Sequence, residues 1–259
     1  MKIAVCGKGG VGKTFIAAGL AAYFAASGRP VIAIDADSSP NLAQSLGLSA
    51  EEAARILPVA ENEELIRMKT GTDFSGVFRL SFTVDDITGR YAVPTPSGAN
   101  LLVMGTVKTM GAGCTCPAHS VVKALLRHLV VERDEFVILD MEAGIEHLGR
   151  GTAEHVDVLL AVADANQKSL AVAATICRLA RASEIHTIGL VANRIADARQ
   201  ETVFRSFAGS HHLPVLGQIP FDQVVAQAGM TGELPDPSIS VALKAVSELA
   251  KSLEASHAG

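Results

Sequence analysis

Gly7-Lys8-Gly9-Gly10-Val11-Gly12-Lys13-Thr14 decides the fold of this chain. The stretch fills every position of the pattern G-x-x-x-x-G-K-[ST]. Ahead of it, residues 2–6 (Lys-Ile-Ala-Val-Cys) are a short apolar run of the kind that lies buried in a parallel sheet. Behind it, residues 15–26 are alanine-rich and helical in pattern. Strand, glycine loop and helix therefore follow in the order that a phosphate cradle requires. Glycines let the backbone wrap closely around phosphate oxygens with its N–H groups turned inward. The helix start adds the positive end of its dipole. Lys13 is placed to neutralise the β- and γ-phosphates of ATP, and the Thr14 hydroxyl to hold Mg²⁺.

Composition agrees with one large α/β domain spanning residues 1–259. Of 259 residues, 49% are hydrophobic, which is enough for a sizeable core, while aromatics are 4% with no Trp. Abundant alanine favours helices packed closely on a sheet. The net charge of −5, with no basic run, argues against nucleic acid or an anionic membrane as the main partner. There is no run of ~18 apolar residues, and the first residues enter a strand directly, which leaves no room for a signal peptide. Four cysteines do not make a disulfide framework, so the expected setting is the reducing cytoplasm.

Working outward, residues 30–34 read as a second strand ending in Asp35-Ala36-Asp37. Carboxylates at a strand's C-terminal end lie on the ligand side of an open α/β sheet. Residues 38–41 then turn into a short helix through Leu46. One of the two aspartates can equally cap that helix. Residues 51–69 are acidic and helical in pattern. Residues 70–98 are rich in Gly, Ser, Thr and Pro, with β-like runs at 77–84 and 90–93, and read as a small insertion packed on the domain. Residues 100–104 are a further strand. After it comes a glycine-bearing loop with Cys114-Thr115-Cys116, and then a helix, with Ser120 a candidate cap, whose stripe is Val121, Val122, Leu125, Leu126, Leu129 and Val130. Residues 136–140 are the strongest central-strand signal, and the terminal Asp140 fits an aspartate that orients Mg²⁺. In the following Met-Glu-Ala-Gly, Gly144 can offer its N–H to a γ-phosphate. Strands at 156–161, 187–192 and 215–220 and helices at 167–182 and 241–253 complete the pattern. The last helix presents Val241, Ala245, Val246, Leu249 and Leu253. The expected fold is a doubly wound, mostly parallel sheet flanked by helices.

Lys8 is a second lysine inside the glycine loop. The form GKGGVGKT resembles the deviant Walker A loop of the MinD/ParA/NifH group of dimeric ATPases. That resemblance implies that Lys8 reaches across a two-fold interface to the other subunit's nucleotide, where positive charge at the γ-phosphate stabilises phosphoryl transfer. By chemistry alone Lys8 is equally a solvated loop lysine. The resemblance further assigns the attacking water to Asp37 and places Asp35 nearer the Mg²⁺ shell. It gives Asn193 the adenine edge, and residues 219–222, including Pro220, the loop that closes over the base. Phe15 departs from the small or hydroxylic residue common after Thr14 and can pack beneath the phosphate loop. The tail, residues 255–259, lacks the lysine-rich amphipathic pattern of a MinD-like membrane anchor.

Residues 140–147 (Asp-Met-Glu-Ala-Gly-Ile-Glu-His) resemble the corresponding segment of the CooC-type nickel ATPases of carbon monoxide dehydrogenase maturation. A Cys-x-Cys pair on a loop can present two thiolates to one metal, and a homodimer supplies the four that Zn²⁺ or low-spin Ni²⁺ prefers. Cys114 and Cys116 are accordingly expected to hold Ni²⁺, or Zn²⁺, on the two-fold axis, with Gly111 and Gly113 giving the loop freedom. His119 can lend a nitrogen or simply begin the helix. Cys6 and Cys177 look buried. The expected function is an ATP-hydrolysing nickel metallochaperone serving apo carbon monoxide dehydrogenase or the related acetyl-CoA synthase. The alternatives are a NifH-like iron–sulfur redox ATPase and a MinD/ParA-like positioning ATPase.

Overall fold

The apolar run before the glycine loop becomes β1 (Lys2–Gly7), buried along its whole length. The computed structural model describes residues 1–37, 39–72, 79, 82–105, 117–132, 135–141, 155–183 and 185–257. After β1 the chain forms α1 (Lys13–Ala26), β2 (Val31–Ala36), the short α2 (Leu42–Ser45), α3 (Ala50–Ala54), α4 (Glu63–Thr70), α5 (Asp85–Tyr91), β3 (Val93–Pro94) and β4 (Asn100–Val103). It continues through α6 (Pro117–Arg127), β5 (Phe136–Met141), β6 (Val158–Ala163), α7 (Gln167–Ala180), β7 (Thr187–Ile195), α8 (Ala198–Ser210), β8 (Val215–Pro220), α9 (Gln223–Thr231) and α10 (Val241–His257).

The strands of the described residues join in one eight-stranded sheet of order β3-β4-β2-β5-β1-β6-β7-β8. Only β3, at one edge, runs antiparallel to its neighbour. This is the doubly wound α/β architecture. The winding reverses at β1, which has β5 on one side and β6 on the other, so the crevice beyond its C-terminal end is the topological switch point. The glycine loop occupies that crevice.

Alternation with period two divides each strand between two cores. Ile3, Val5, Ile138 and Leu160 pack with Ile16, Leu20 and Phe24 of α1 and with Val246, Leu249 and Leu253 of α10. Ala4, Cys6, Leu139 and Leu159 pack on the other face with Val121, Leu125 and Leu126 of α6 and with Leu170, Ala173 and Ile176 of α7. Fully burying one such large apolar side chain contributes roughly 1.5–3 kcal/mol. Small residues set the spacing: a Cβ on Gly19 of α1 would stand 2.8 Å from Cγ1 of Val246, so α1 and α10 meet closer than any side chain there allows. Among the described residues no helix is long and apolar enough to cross a membrane.

Several local expectations change. Residues 51–69 are not one helix but α3 and α4, separated by a 3₁₀ turn at Val59–Glu61. Pro58 fixes its own φ and has no N–H to give, and Asn62 restarts the helix by accepting the Leu65 N–H at 3.0 Å. The β-like run at 90–93 is helical to Tyr91, because Ile87 buries one face of α5 and tertiary packing overrides β propensity. Of the run at 77–84, the described residues Arg79, Phe82, Thr83 and Val84 lie in no strand. Ser120 lies inside α6, which begins at Pro117, a residue suited to the first helical position. The strand expected at 156–161 is β6, displaced by two residues; Asp157 instead accepts the Lys2 backbone N–H at 2.7 Å, and pairing with β1 starts at Val158. On α10 the inward stripe is Ala242, Val246, Leu249, Ala250 and Leu253, with Val241 half exposed.

Candidate nucleotide site

α1 begins at Gly12, whose backbone has φ 92° and ψ 28°, and no side chain caps the helix. Other helix starts close on themselves through Ser49, Asn62, Asn166, Asp197 and Asp222. The first N–H groups of α1 are left to an outside acceptor. They border a cavity of about 410 Å³ lined by Gly9, Gly10, Lys13, Thr14, Asp37 and Arg194, with Ser39 and Asn41 at its edge. A helix start with free N–H groups and a buried lysine is a site for phosphate.

The two aspartates at the C-terminal end of β2 have separate tasks. Asp35 is fully buried. Its Oδ1 accepts the Asp37 N–H at 3.2 Å, and its Oδ2 accepts the N–H groups of Asn41 and Leu42, each at 2.9 Å. Burial raises its pKa, and those three donors pull against the rise. Asp35, expected nearer the Mg²⁺ shell, is thus committed to the backbone: it caps α2 and fixes the turn that carries Asp37, the capping role the sequence had also allowed. Asp37 faces the cavity. Its Oδ2 lies 3.7 Å from Nζ of Lys13, and its Oδ1 accepts the Ser39 N–H at 2.9 Å.

Asp140 stands beside Asp35 in register across β2 and β5. Burial pushes its carboxyl up to about 7; the Thr14 hydroxyl and Lys13 pull it down, and Asp35 and Asp37 push it up. The nearby Thr14 hydroxyl does not reach hydrogen-bond geometry, and neither carboxylate oxygen of Asp140 has a partner. A buried carboxylate without a donor is costly. Hard oxygen atoms left open beside a threonine hydroxyl and a phosphate slot fit Mg²⁺, which keeps few protein ligands and takes phosphate oxygens and water for the rest. Among the described residues no group of three or more His, Cys, Asp or Glu converges on a metal position.

On the far side of Gly12 and Arg194 lies a second cavity of about 300 Å³, walled by Phe15, Asn193, Pro220, Phe221 and Val225. Its mainly apolar lining suits a flat heterocycle. Asn193 is buried, and its Nδ2 donates to the Val11 carbonyl at 2.7 Å, so one of its amide hydrogens is taken by the phosphate loop. Asp222 braces the floor. It accepts from the Val224 N–H at 2.8 Å, the Ser240 hydroxyl at 2.6 Å and the Ala242 N–H at 3.0 Å, and so holds the starts of α9 and α10 together. Burial works to raise its pKa, but the Ala242 N–H, the Ser240 hydroxyl and the N–H groups of Val224 and Val225 outweigh it and hold the carboxyl below its ordinary value.

The structure therefore brings Gly9, Gly10, Gly12, Lys13, Thr14 and Asp37 to one cavity, with Asp140 beside it, and Phe15, Asn193 and Pro220 to the next. Val11 is buried within the loop and Lys8 is exposed. His119 is exposed on α6, and Cys6 and Cys177 are buried. Cys114 and Cys116, with Gly111, Gly113 and Gly144, lie outside the described residues.

Residues 2–235 match the family model described as the CobQ/CobB/MinD/ParA nucleotide binding domain. The chain belongs to this family. It is 44% identical over 234 residues to the carbon monoxide dehydrogenase accessory protein CooC of Rhodospirillum rubrum, covering 90% of this chain and 88% of that one. It is 38% identical over 254 residues to an uncharacterized ATP-binding protein of Methanocaldococcus jannaschii, covering 97% and 95%. Its fold matches the crystal structure of a ParA family ATPase from Chlorobium tepidum with a TM-score of 0.70, at 18% identity over 96% of this chain and 97% of that one. Within the CobQ/CobB/MinD/ParA family the chain is of the CooC type. Sequence reasoning gave no role to Arg194, which lines both cavities of this family member. Arg194 directly follows Asn193, but nothing in its sequence context says which way it points.

Proposed function

We propose that this chain is an ATP-hydrolysing metallochaperone that works as a homodimer and delivers Ni²⁺ to carbon monoxide dehydrogenase or a related nickel enzyme. The observation that carries the reading is an uncapped α1 start next to the buried, partnerless Asp140 carboxylate, which sits beside Thr14 and Lys13, in a chain so similar to a carbon monoxide dehydrogenase accessory protein.

In this reading the loop N–H groups and Lys13 bind the β- and γ-phosphates, while Thr14 and Asp140 hold Mg²⁺. The ion supplies positive charge against the charge that builds up on the phosphoryl oxygens. Phosphate arriving at Lys13 takes the place of Asp37, and the freed carboxylate accepts a proton from the attacking water. Lys8 acts on the partner's nucleotide, and Asn193 and Pro220 contact the adenine. Cys114 and Cys116 from two protomers give four thiolates for the cargo Ni²⁺, or for Zn²⁺ in its place. The other two cysteines support this assignment: both are buried, and burial pushes the Cys177 thiol up to about 11.

The test is anaerobic Ni²⁺ titration of wild type and of the double variant Cys114→Ser, Cys116→Ser, with light scattering in ADP and in a non-hydrolysable ATP analogue. One Ni²⁺ per dimer, lost in the double variant, is the expected result. A variant that retains stoichiometric Ni²⁺, or a wild type that stays monomeric under every condition, overturns the reading.

A further inference from the structure

We infer that Arg194 is the positioning residue of the phosphate loop: a bulge at the end of β7 turns it, together with Asn193, onto two successive loop carbonyls. The inference rests on the nucleotide reading of the site.

Consecutive residues of a regular strand point to opposite faces of a sheet. Asn193 and Arg194 do not. Asn193 Nδ2 donates to the carbonyl of Val11 at 2.7 Å, and Arg194 Nη1 donates to the carbonyl of Gly10 at 2.9 Å. The pairing of β7 with β8 shifts register between Ala192 and Ile195, across this dipeptide. Arg194 has φ 56°, and only one other non-glycine among the described residues, His212, has a positive φ. A bulge re-aims a side chain at the cost of the ladder, and a left-handed arginine persists only where its surroundings hold it. Here the hold is the loop itself.

The consequence for phosphate binding is geometric. A peptide unit is planar, so fixing a carbonyl fixes the N–H of the next residue on the opposite side. Pinning the carbonyls of Gly10 and Val11 turns the N–H groups of Val11 and Gly12 the other way: the Val11 N–H closes a turn onto the Lys8 carbonyl at 3.4 Å, and the Gly12 N–H is left for phosphate. Gly10 is the looser of the two residues: it has φ 81°, and nothing lies within 4 Å of where its Cβ would stand. Arg194 supplies the restraint that local packing does not. It also lines both cavities, so its positive charge lies where the phosphate slot passes into the base slot.

The experiment compares Arg194→Ala, Arg194→Gly and Arg194→Lys with wild type. It measures ADP and ATP dissociation constants by calorimetry, steady-state KM and kcat, and melting of the nucleotide-free chain. A charge-assisted hydrogen bond that preorganises the loop predicts that Ala and Gly variants bind ADP about five- to tenfold more weakly, with KM raised by a similar factor and kcat little changed. Lys keeps the charge and one donor and restores part of the affinity. Arg194→Gly melts above Arg194→Ala, since both lack the guanidinium and only glycine relaxes the positive φ. Unchanged ADP affinity in Arg194→Ala overturns the inference, as does a drop in melting temperature with affinity intact, which marks a purely structural role. Full rescue by Lys also overturns it, since charge alone would then suffice. Failure of wild type to bind nucleotide instead refutes the reading of the site itself.

Discussion

Replacing Gly12 with alanine tests the coupling between the phosphate loop and β7 more sharply than any other single change. Two costs arise. A non-glycine residue at φ 92° carries a left-handed penalty of roughly 1–2 kcal/mol. The new Cβ would also lie 2.3 Å from Nδ2 of Asn193, a side chain that is buried and bonded to Val11. Asn193 must withdraw, which strands a buried amide and a loop carbonyl for a further 1–3 kcal/mol or so. The sum is about 2–5 kcal/mol. Gly10→Ala is the matched control: at φ 81° it carries the same backbone penalty, yet meets nothing within 4 Å. Urea unfolding of the nucleotide-free proteins, followed by circular dichroism, should therefore place Gly12→Ala about 1–3 kcal/mol below Gly10→Ala. An ADP titration should show Gly12→Ala the weaker binder. Equal unfolding midpoints for the two variants would falsify the claim that Asn193 is wedged against the loop.

Three other substitutions probe the carboxylates in and around the two cavities. Asp37→Asn releases Lys13 from its 3.7 Å ion pair; calorimetry should show ADP bound about three- to tenfold more tightly, while hydrolysis falls by roughly 10²-fold or more as the proton acceptor is lost. Asp140→Asn removes a buried carboxylate that has no partner, so the melting temperature in EDTA should rise even as Mg²⁺-dependent hydrolysis is lost. Asp222 has its pKa held below the ordinary 3.8, so its ionised form contributes stability that is complete above that value and disappears as pH falls through the lower, folded-state pKa. Urea midpoints between pH 5 and pH 2.5 should show wild type ahead of Asp222→Asn at the upper end, with the gap narrowing below pH 3.8.

How far the sequence could be read depended on how local the cause of each feature was. The phosphate loop is a matter of covalent spacing, and Asp140 closes an unbroken apolar run, so both were legible. The division of labour between Asp35 and Asp37 was not. The two are separated by a single residue, and their roles turn on where β2 ends: Asp35 is still within it and buried, whereas Asp37 has left it and reaches the cavity. The helices α8 and α9 left no stripe to find. The first buries Phe204 and Ala208 and the second only Ala228, and a helix that hides one or two side chains has no hydrophobic period. What their sequences do carry is an aspartate at each start, Asp197 and Asp222, which capped them all the same.

Departures from local rules gather around one crevice, and for a physical reason. Elsewhere the chain largely satisfies itself: most helix starts have a side-chain cap, strands alternate between two cores, and the carboxylate of Asp222 is fully engaged. At the C-terminal end of β1 those rules lapse together. The start of α1 is open, Asp140 has no donor, Lys13 is paired only at 3.7 Å, and Arg194 holds a left-handed backbone. Each lapse raises the free energy of the unliganded chain, and an anionic phosphate with its divalent ion answers the first three at once. Local rules describe how a sequence satisfies itself, so they fail where the structure is completed by something outside it. The pinned carbonyls of Gly10 and Val11 limit how far that unsatisfied arrangement can collapse inward: the Val11 N–H already turns back onto the Lys8 carbonyl at 3.4 Å, and the bond from Asn193 to the Val11 carbonyl keeps the Gly12 N–H from following it.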